Sequence, residues 1–104
     1  QAVAEGLMLS AAAKMAATEY YATMGEWPAD NQTAGLSPAD TIRSNAVRSV
    51  EINENVILIH FDETLDYGSV ILEGSATEGG WGSVNWNCYS IDIADRYLPA
   101  NCRF

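Results

Sequence analysis

Few side chains in this sequence are able to carry chemistry. Two cysteines, Cys88 and Cys102, stand near the C-terminus with no CxxC and no histidine-rich spacing around them, so a zinc site has no support. Their natural chemistry is a disulfide, which implies an oxidising compartment. A bridge of this span stabilises by roughly 3 kcal/mol if its geometry is unstrained; two separately buried thiols are the alternative. The single histidine, His60, lies inside the most strand-like segment, where a histidine is far more often packed or at the surface than a general base. Nucleophilic catalysis needs a nucleophile, a base and an orienting group within reach. No GxSxG, HExxH, P-loop or dinucleotide fingerprint occurs, and the residues give no enzyme signal. Asp62, Glu63 and Asp66 form an acidic cluster with the oxygen ligands that calcium prefers, but without EF-hand spacing a solvated turn is the better account. Asp92 and Asp95 take the same bland reading. With Trp81, which sits among Gly79, Gly80 and Gly82, they are candidate surface-contact residues. No cofactor or metal is expected.

Composition narrows the field further. The chain has 104 residues, 48% of them hydrophobic, which suits one domain, 1–104, with a packed core. A domain this small buries a modest share of its surface, and a covalent staple is a common remedy. Formal net charge is -9, from 14 acidic residues against five Lys and Arg. That balance argues against direct nucleic-acid binding, which takes clustered cations, and favours repulsion from anionic membranes. The three Trp, five Tyr and two Phe are not interleaved with a basic stripe, so core packing and turn anchoring are their expected work. No stretch reaches the ~18 apolar residues that span a bilayer. No signal peptide is visible, and Gln1 is expected to be a cut end, processed or engineered.

The elements that must position these residues follow from periodicity. Residues 2–24 are expected to form one helix, uninterrupted by proline, with seven alanines between Ala2 and Ala17. Gly25 is its cap and Pro28 its stop. Leu7, Ala11, Met15, Thr18 and Ala22 fall on one stripe, and Leu9, Ala13, Ala16, Tyr20 and Met24 on a second. A helix so nearly apolar all round expects burial on more than one side, and one sheet covers one side only; harmless surface alanine is the other reading. Residues 26–45 are a connector, with turn chemistry at Trp27-Pro28 and Asp30-Asn31 and a short helix from Ser37 through about Ser44. Trp27 is expected to cover the helix exit. From Ala46 the period becomes that of strands. Four are expected: one in which Val47, Ser49 and Glu51 alternate with Arg48, Val50 and Ile52; Val56 to Phe61; Ser69 to Ala76; and Ser83 to Cys88. Turns fall at Asn53-Glu54-Asn55, from Asp62 to Gly68 and from Glu78 to Gly82. Short connections imply an antiparallel meander over 46–88, with residues 88–104 irregular. The fold class is α+β: a long N-terminal helix packed on a four-stranded antiparallel meander, closed by a C-terminal disulfide loop.

Two segments carry a resemblance. Thr18-Glu19-Tyr20-Tyr21, then Met24-Gly25-Glu26-Trp27-Pro28, Asn31 and Ala34-Gly35-Leu36, resemble the helix exit of type IVa pilins. Tyr97-Leu98-Pro99-Ala100-Asn101-Cys102-Arg103, with Trp86-Asn87-Cys88 before it, resembles their C-terminal disulfide-bonded region. The match is weakest from Glu63 to Gly82. The resemblance implies a structural subunit, not an enzyme, that polymerises into an extracellular pilus. Such filaments act in adhesion, twitching motility, biofilm formation or DNA uptake. A minor pilin, a secretion-system pseudopilin or an unrelated secreted binding module is the alternative. It further implies that a preceding membrane segment of the long helix is missing. Through that segment the subunit would be anchored in the inner membrane and reach the assembly machinery. Residues 1–25 would then be the distal half of the helix. Leu7, Ala11, Met15, Leu9, Ala13 and Ala16 are the candidate assembly face, with copies of the chain and other pilins as partners.

Overall fold

The computed structural model describes residues 2–76 and 84–103. Its chain is helical from Ala2 to Met24, but Ser10 divides the helix into α1 (Ala2–Leu9) and α2 (Ala11–Met24). The serine itself supplies the cause. Its Oγ donates to the Leu7 carbonyl at 2.7 Å, a side-chain bond of the kind that bends helices. The main-chain ladder runs on through this point, from Ser10 N–H to Gly6 O at 3.0 Å and from Lys14 N–H to Ser10 O at 2.9 Å. The pair therefore acts as one rod interrupted at Ser10. Gly25 ends it as expected, at φ +76°, with its N–H bonded to the Tyr21 carbonyl.

The connector differs from expectation in where it coils. A helical turn, α3 (Asn31–Ala34), forms where Asp30-Asn31 were expected only to turn, and the helix expected from Ser37 to Ser44 is one 3-10 turn at Ala39–Thr41. Capping decides between them. Asp30 accepts a hydrogen bond from Thr33 N–H at 2.8 Å, whereas no side-chain cap forms ahead of Ala39.

The sheet is the expected meander, order β1-β2-β3-β4 and antiparallel throughout: β1 (Val47–Asn53), β2 (Val56–Phe61), β3 (Ser69–Ala76) and β4 (Val84–Tyr89). β4 begins at Val84 among the described residues; Ser83 and the turn expected over 78–82 lie outside them. One face carries Val50, Ile52, Ile57, Ile59, Phe61, Val70 and Leu72, all buried. Simple alternation places Val47 on the opposite face from Val50, yet both are buried. A register shift between Val47 and Ser49 turns Val47 inward, so the first strand gains an apolar side chain that strict period two would have exposed.

The rod crosses this face on its smallest residues. Val3, Gly6, Ser10, Ala13 and Ala17 form the buried line, at three- and four-residue spacing. At Gly6 the helix backbone comes so close that an added Cβ would lie 2.7 Å from Phe61 Cζ and 2.9 Å from Ile59 Cγ2. Glu5 fixes the start of the rod to the connector: its Oε1 accepts from Ser44 Oγ at 2.6 Å and from Ala46 N–H at 3.3 Å. Asn31 seals the outer edge of β1. Its amide donates to Ser37 O and Val50 O, both at 3.0 Å, and accepts from Ile52 N–H at 2.7 Å, so an edge ladder that would otherwise recruit another strand is occupied. Among the described residues no helix is long and apolar enough to cross a membrane.

Candidate functional site

The sheet face away from the rod holds the histidine. His60 Nδ1 lies 2.8 Å from Ser69 Oγ, and its Nε2 lies 3.4 Å from Glu51 Oε1. Serine, histidine and glutamate in a row have the composition of nucleophile, base and orienter. Acyl transfer also needs donors aimed at a developing oxyanion, and the Ser69 amide is already bonded to Asp92 Oδ1 at 3.0 Å. The row is better understood as a cross-strand tie joining β1, β2 and β3. The acidic loop is likewise structural. Asp62 Oδ1 accepts from Thr64 N–H at 2.8 Å and caps a 3-10 turn at Glu63–Leu65. Hydrogen bonds from Thr64, with help from the Arg48 charge, hold the Asp62 carboxyl below its usual range. Asp66 and Tyr67 complete the loop in left-handed conformations.

At the C-terminus Cys88 on β4 and Cys102 are joined by a disulfide. The loop it closes is a built structure. Ser90 Oγ donates to Ser69 O at 2.6 Å and accepts from Ile93 N–H at 3.1 Å. Ile93, Leu98 and Cys102 are buried. Asp92, proposed from sequence as a contact residue, spends its carboxylate on Ser69 N–H. Asp95 is exposed at the head of a 3-10 turn over Asp95–Tyr97. Trp81 lies outside the described residues. Trp27 does cover the helix exit: its ring stacks on Tyr21 at 4.5 Å and meets Trp86 edge-on at 5.9 Å, beside Gly74.

The outward side of the rod remains. Of the six candidate assembly residues, Ala11 and Met15 are exposed, while Leu7, Leu9 and Ala16 are half-buried on its flanks. Ala13 is corrected: it is fully buried against the chain's own core, because it continues the line of Gly6 and Ser10. Sequence reasoning missed Ala4 and Met8. Met8 is 78% exposed and Met15 64%, and Ala4, Met8, Ala11, Met15 and Ala22 make one apolar line at three-, four- and seven-residue spacing. The signal was present, since Met8 stands seven residues before Met15. Starting the stripe at Leu7 placed it one residue toward the sheet. Nothing on the described chain covers this line.

Comparison with known proteins points the same way. Residues 2–103 match the family model of pilin, a bacterial filament protein. The chain is 34% identical over 110 residues to the fimbrial protein EcpC of Eikenella corrodens, covering 97% of this chain and 68% of that protein. It is 38% identical over 125 residues to a type IV major pilin protein PilE1 of Neisseria gonorrhoeae, with the same two coverages of 97% and 68%. A fimbrial protein of Neisseria meningitidis serogroup B is 40% identical over 55 residues, a match that spans 53% of this chain and 32% of that protein.

Proposed function

Because this chain belongs to the pilin family, and is by that membership a structural subunit of a bacterial filament, we propose that it polymerises by burying the outward line of its rod against copies of itself. The observation that carries this reading is the unpartnered row of Met8, Ala11 and Met15 with Ala4 and Ala22 beside it. Burying apolar surface is favourable at roughly 25 cal/mol per Å², and a parallel array of rods is the arrangement that hides this row on every copy. The disulfide and the Ser90 network keep the outer loop in one shape while the rods pack. On this reading the mature assembly is an extracellular type IV pilus. The subunit waits in the inner membrane on a hydrophobic helical segment ahead of the rod, where the assembly machinery engages it alongside other pilins. Adhesion, twitching motility, biofilm formation and DNA uptake are then properties of the polymer.

The test is Met8→Lys with Met15→Lys in the full-length gene product. Sheared surface filaments should fall to background while the unassembled subunit stays at its normal level with its disulfide formed. Filaments at wild-type abundance from this variant would remove the outward row from the assembly mechanism.

A further inference from the structure

We propose that Met8 and Met15 form an oxidation site that gates polymerisation: a hydroperoxide converts their thioethers to sulfoxides on the unassembled subunit, and the filament excludes the oxidised copy. The inference rests on the assembly reading and adds how that step is controlled.

Sulfur is placed unevenly in this chain. It comes from two cysteines and three methionines. Both cysteines are joined in the Cys88–Cys102 disulfide, and no free thiol remains. All three methionines, Met8, Met15 and Met24, stand exposed on the rod. Among the described residues the core is built of Val, Ile, Leu, Phe, Ala and Cys102, with no methionine in it. An oxidant in solution therefore reaches every thioether without any opening of the fold, and no thiolate competes for it.

The step is a two-electron oxygen transfer. A sulfur lone pair attacks the terminal oxygen of the hydroperoxide, and the S–O bond forms as the O–O bond breaks. The proton of that oxygen passes to the leaving oxygen, which departs as water or an alcohol. Sulfur is oxidised and the peroxide reduced, with no other reactant. Sulfoxide reductases return the thioether, so the change is reversible.

Its consequence differs between the free and the packed subunit. On the free subunit the sulfoxide oxygen is hydrated, and neither methionine belongs to the core, so fold and disulfide are undisturbed. In a row buried against a copy, that oxygen gives up water and needs a donor. The row of Ala4, Met8, Ala11, Met15 and Ala22 contains no side-chain N–H or O–H to supply one. Oxidation is thus tolerated alone and opposed in the assembly. The converse also holds, because a packed row shields its own thioethers. Met24 provides a contrast within the same helix. It lies about two and a half turns past Met15, on the other side of the rod, and so outside the row.

In the experiment, cells carrying the full-length gene product are sheared clean of filament, exposed to hydrogen peroxide and left to regrow filament. New filament and unassembled subunit are then read separately by mass spectrometry. Sulfoxide at Met8 and Met15 should be ~10-fold scarcer in filament than in the unassembled pool, with filament yield reduced and the disulfide intact. Met8→Leu/Met15→Leu keeps the row apolar at similar volume, and its yield under peroxide should stay within ~2-fold of its untreated yield. Met24→Leu should remain as sensitive as wild type. Equal sulfoxide at Met8 and Met15 in the two pools overturns the gate and leaves the assembly reading standing. So does a Met8→Leu/Met15→Leu variant as sensitive as wild type, or resistance conferred by Met24→Leu. A wild-type chain absent from every filament preparation of untreated cells would instead remove the assembly reading itself.

Discussion

Gly6→Ala tests how the rod is seated. Two effects of known sign oppose one another there. Replacing glycine by alanine inside a helix stabilises by about 1 kcal/mol. Against that, the new methyl would sit 2.7 Å from Phe61 Cζ, 2.9 Å from Ile59 Cγ2 and 3.0 Å from Phe61 Cε1. Phe61 and Ile59 are both fully buried, so neither moves freely aside. Overpacking of a filled core costs about 1–3 kcal/mol, and three crowded contacts on two immobile side chains belong in the upper half of that range. The expected net result is a loss of about 1 kcal/mol, seen as a Tm lower by roughly 4 °C. The assay is thermal or urea unfolding of the oxidised chain, with Phe61→Leu as the second arm. Removing the ring edge should relieve the methyl, so Gly6→Ala should cost less in the Phe61→Leu background by ~0.5 kcal/mol or more. A Gly6→Ala protein more stable than wild type by the full helix term, or strict additivity with Phe61→Leu, would refute the close seating of the rod on β2.

Three other outcomes follow from the same fold. Cys88→Ser with Cys102→Ser should destabilise by roughly 3 kcal/mol; equal melting of oxidised wild type and mutant would deny the bridge a structural role. Asn31→Ala strips the amide bonded to Ser37 O, Val50 O and Ile52 N–H and should cost roughly 2–3 kcal/mol in urea unfolding, with the loss centred on β1 amides in hydrogen exchange. Asp30 and Asp62 are both held below the ordinary 3.8 by hydrogen bonds, from Thr33 and Thr64. A lowered folded pKa contributes stability that is present above 3.8 and lost as pH falls through the folded value, so Asp30→Asn with Asp62→Asn should flatten the acid limb of a Tm–pH curve below 3.8.

Legibility in the sequence followed the strength of each local signal. The Val56–Phe61 run, the four-strand order and the Gly25 cap were all plain, because each rests on one local rule that packing reinforces. The register shift at Val47 was not, since alternation alone assigns its neighbours cleanly and only the need to bury Val47 overrides it. Ser10 falls on neither of the two apolar stripes. Its burial follows from the line Gly6–Ser10–Ala13, which an apolar-only stripe search skips over. For the same reason Ala13 was placed outward and Met8 overlooked: counting greasy residues located two stripes but could not say which side carried small residues.

That distinction of size is what the structure adds to the functional argument. A helix packing on a sheet usually turns its bulkiest apolar residues inward. Here, after Val3, the inward line is glycine, serine and alanine, and the two methionines at 78% and 64% exposure point away. Small inward residues let backbone approach backbone, as at Gly6, and leave little side chain for the sheet to hold. Methionine outward is long, unbranched and polarizable, able to settle against a surface that is not part of its own chain. Selection for the stability of a lone domain would exchange these positions, setting methionine on the core and alanine or lysine toward water. The inverted order makes sense if the outward side is a second core, completed only when another rod lies against it.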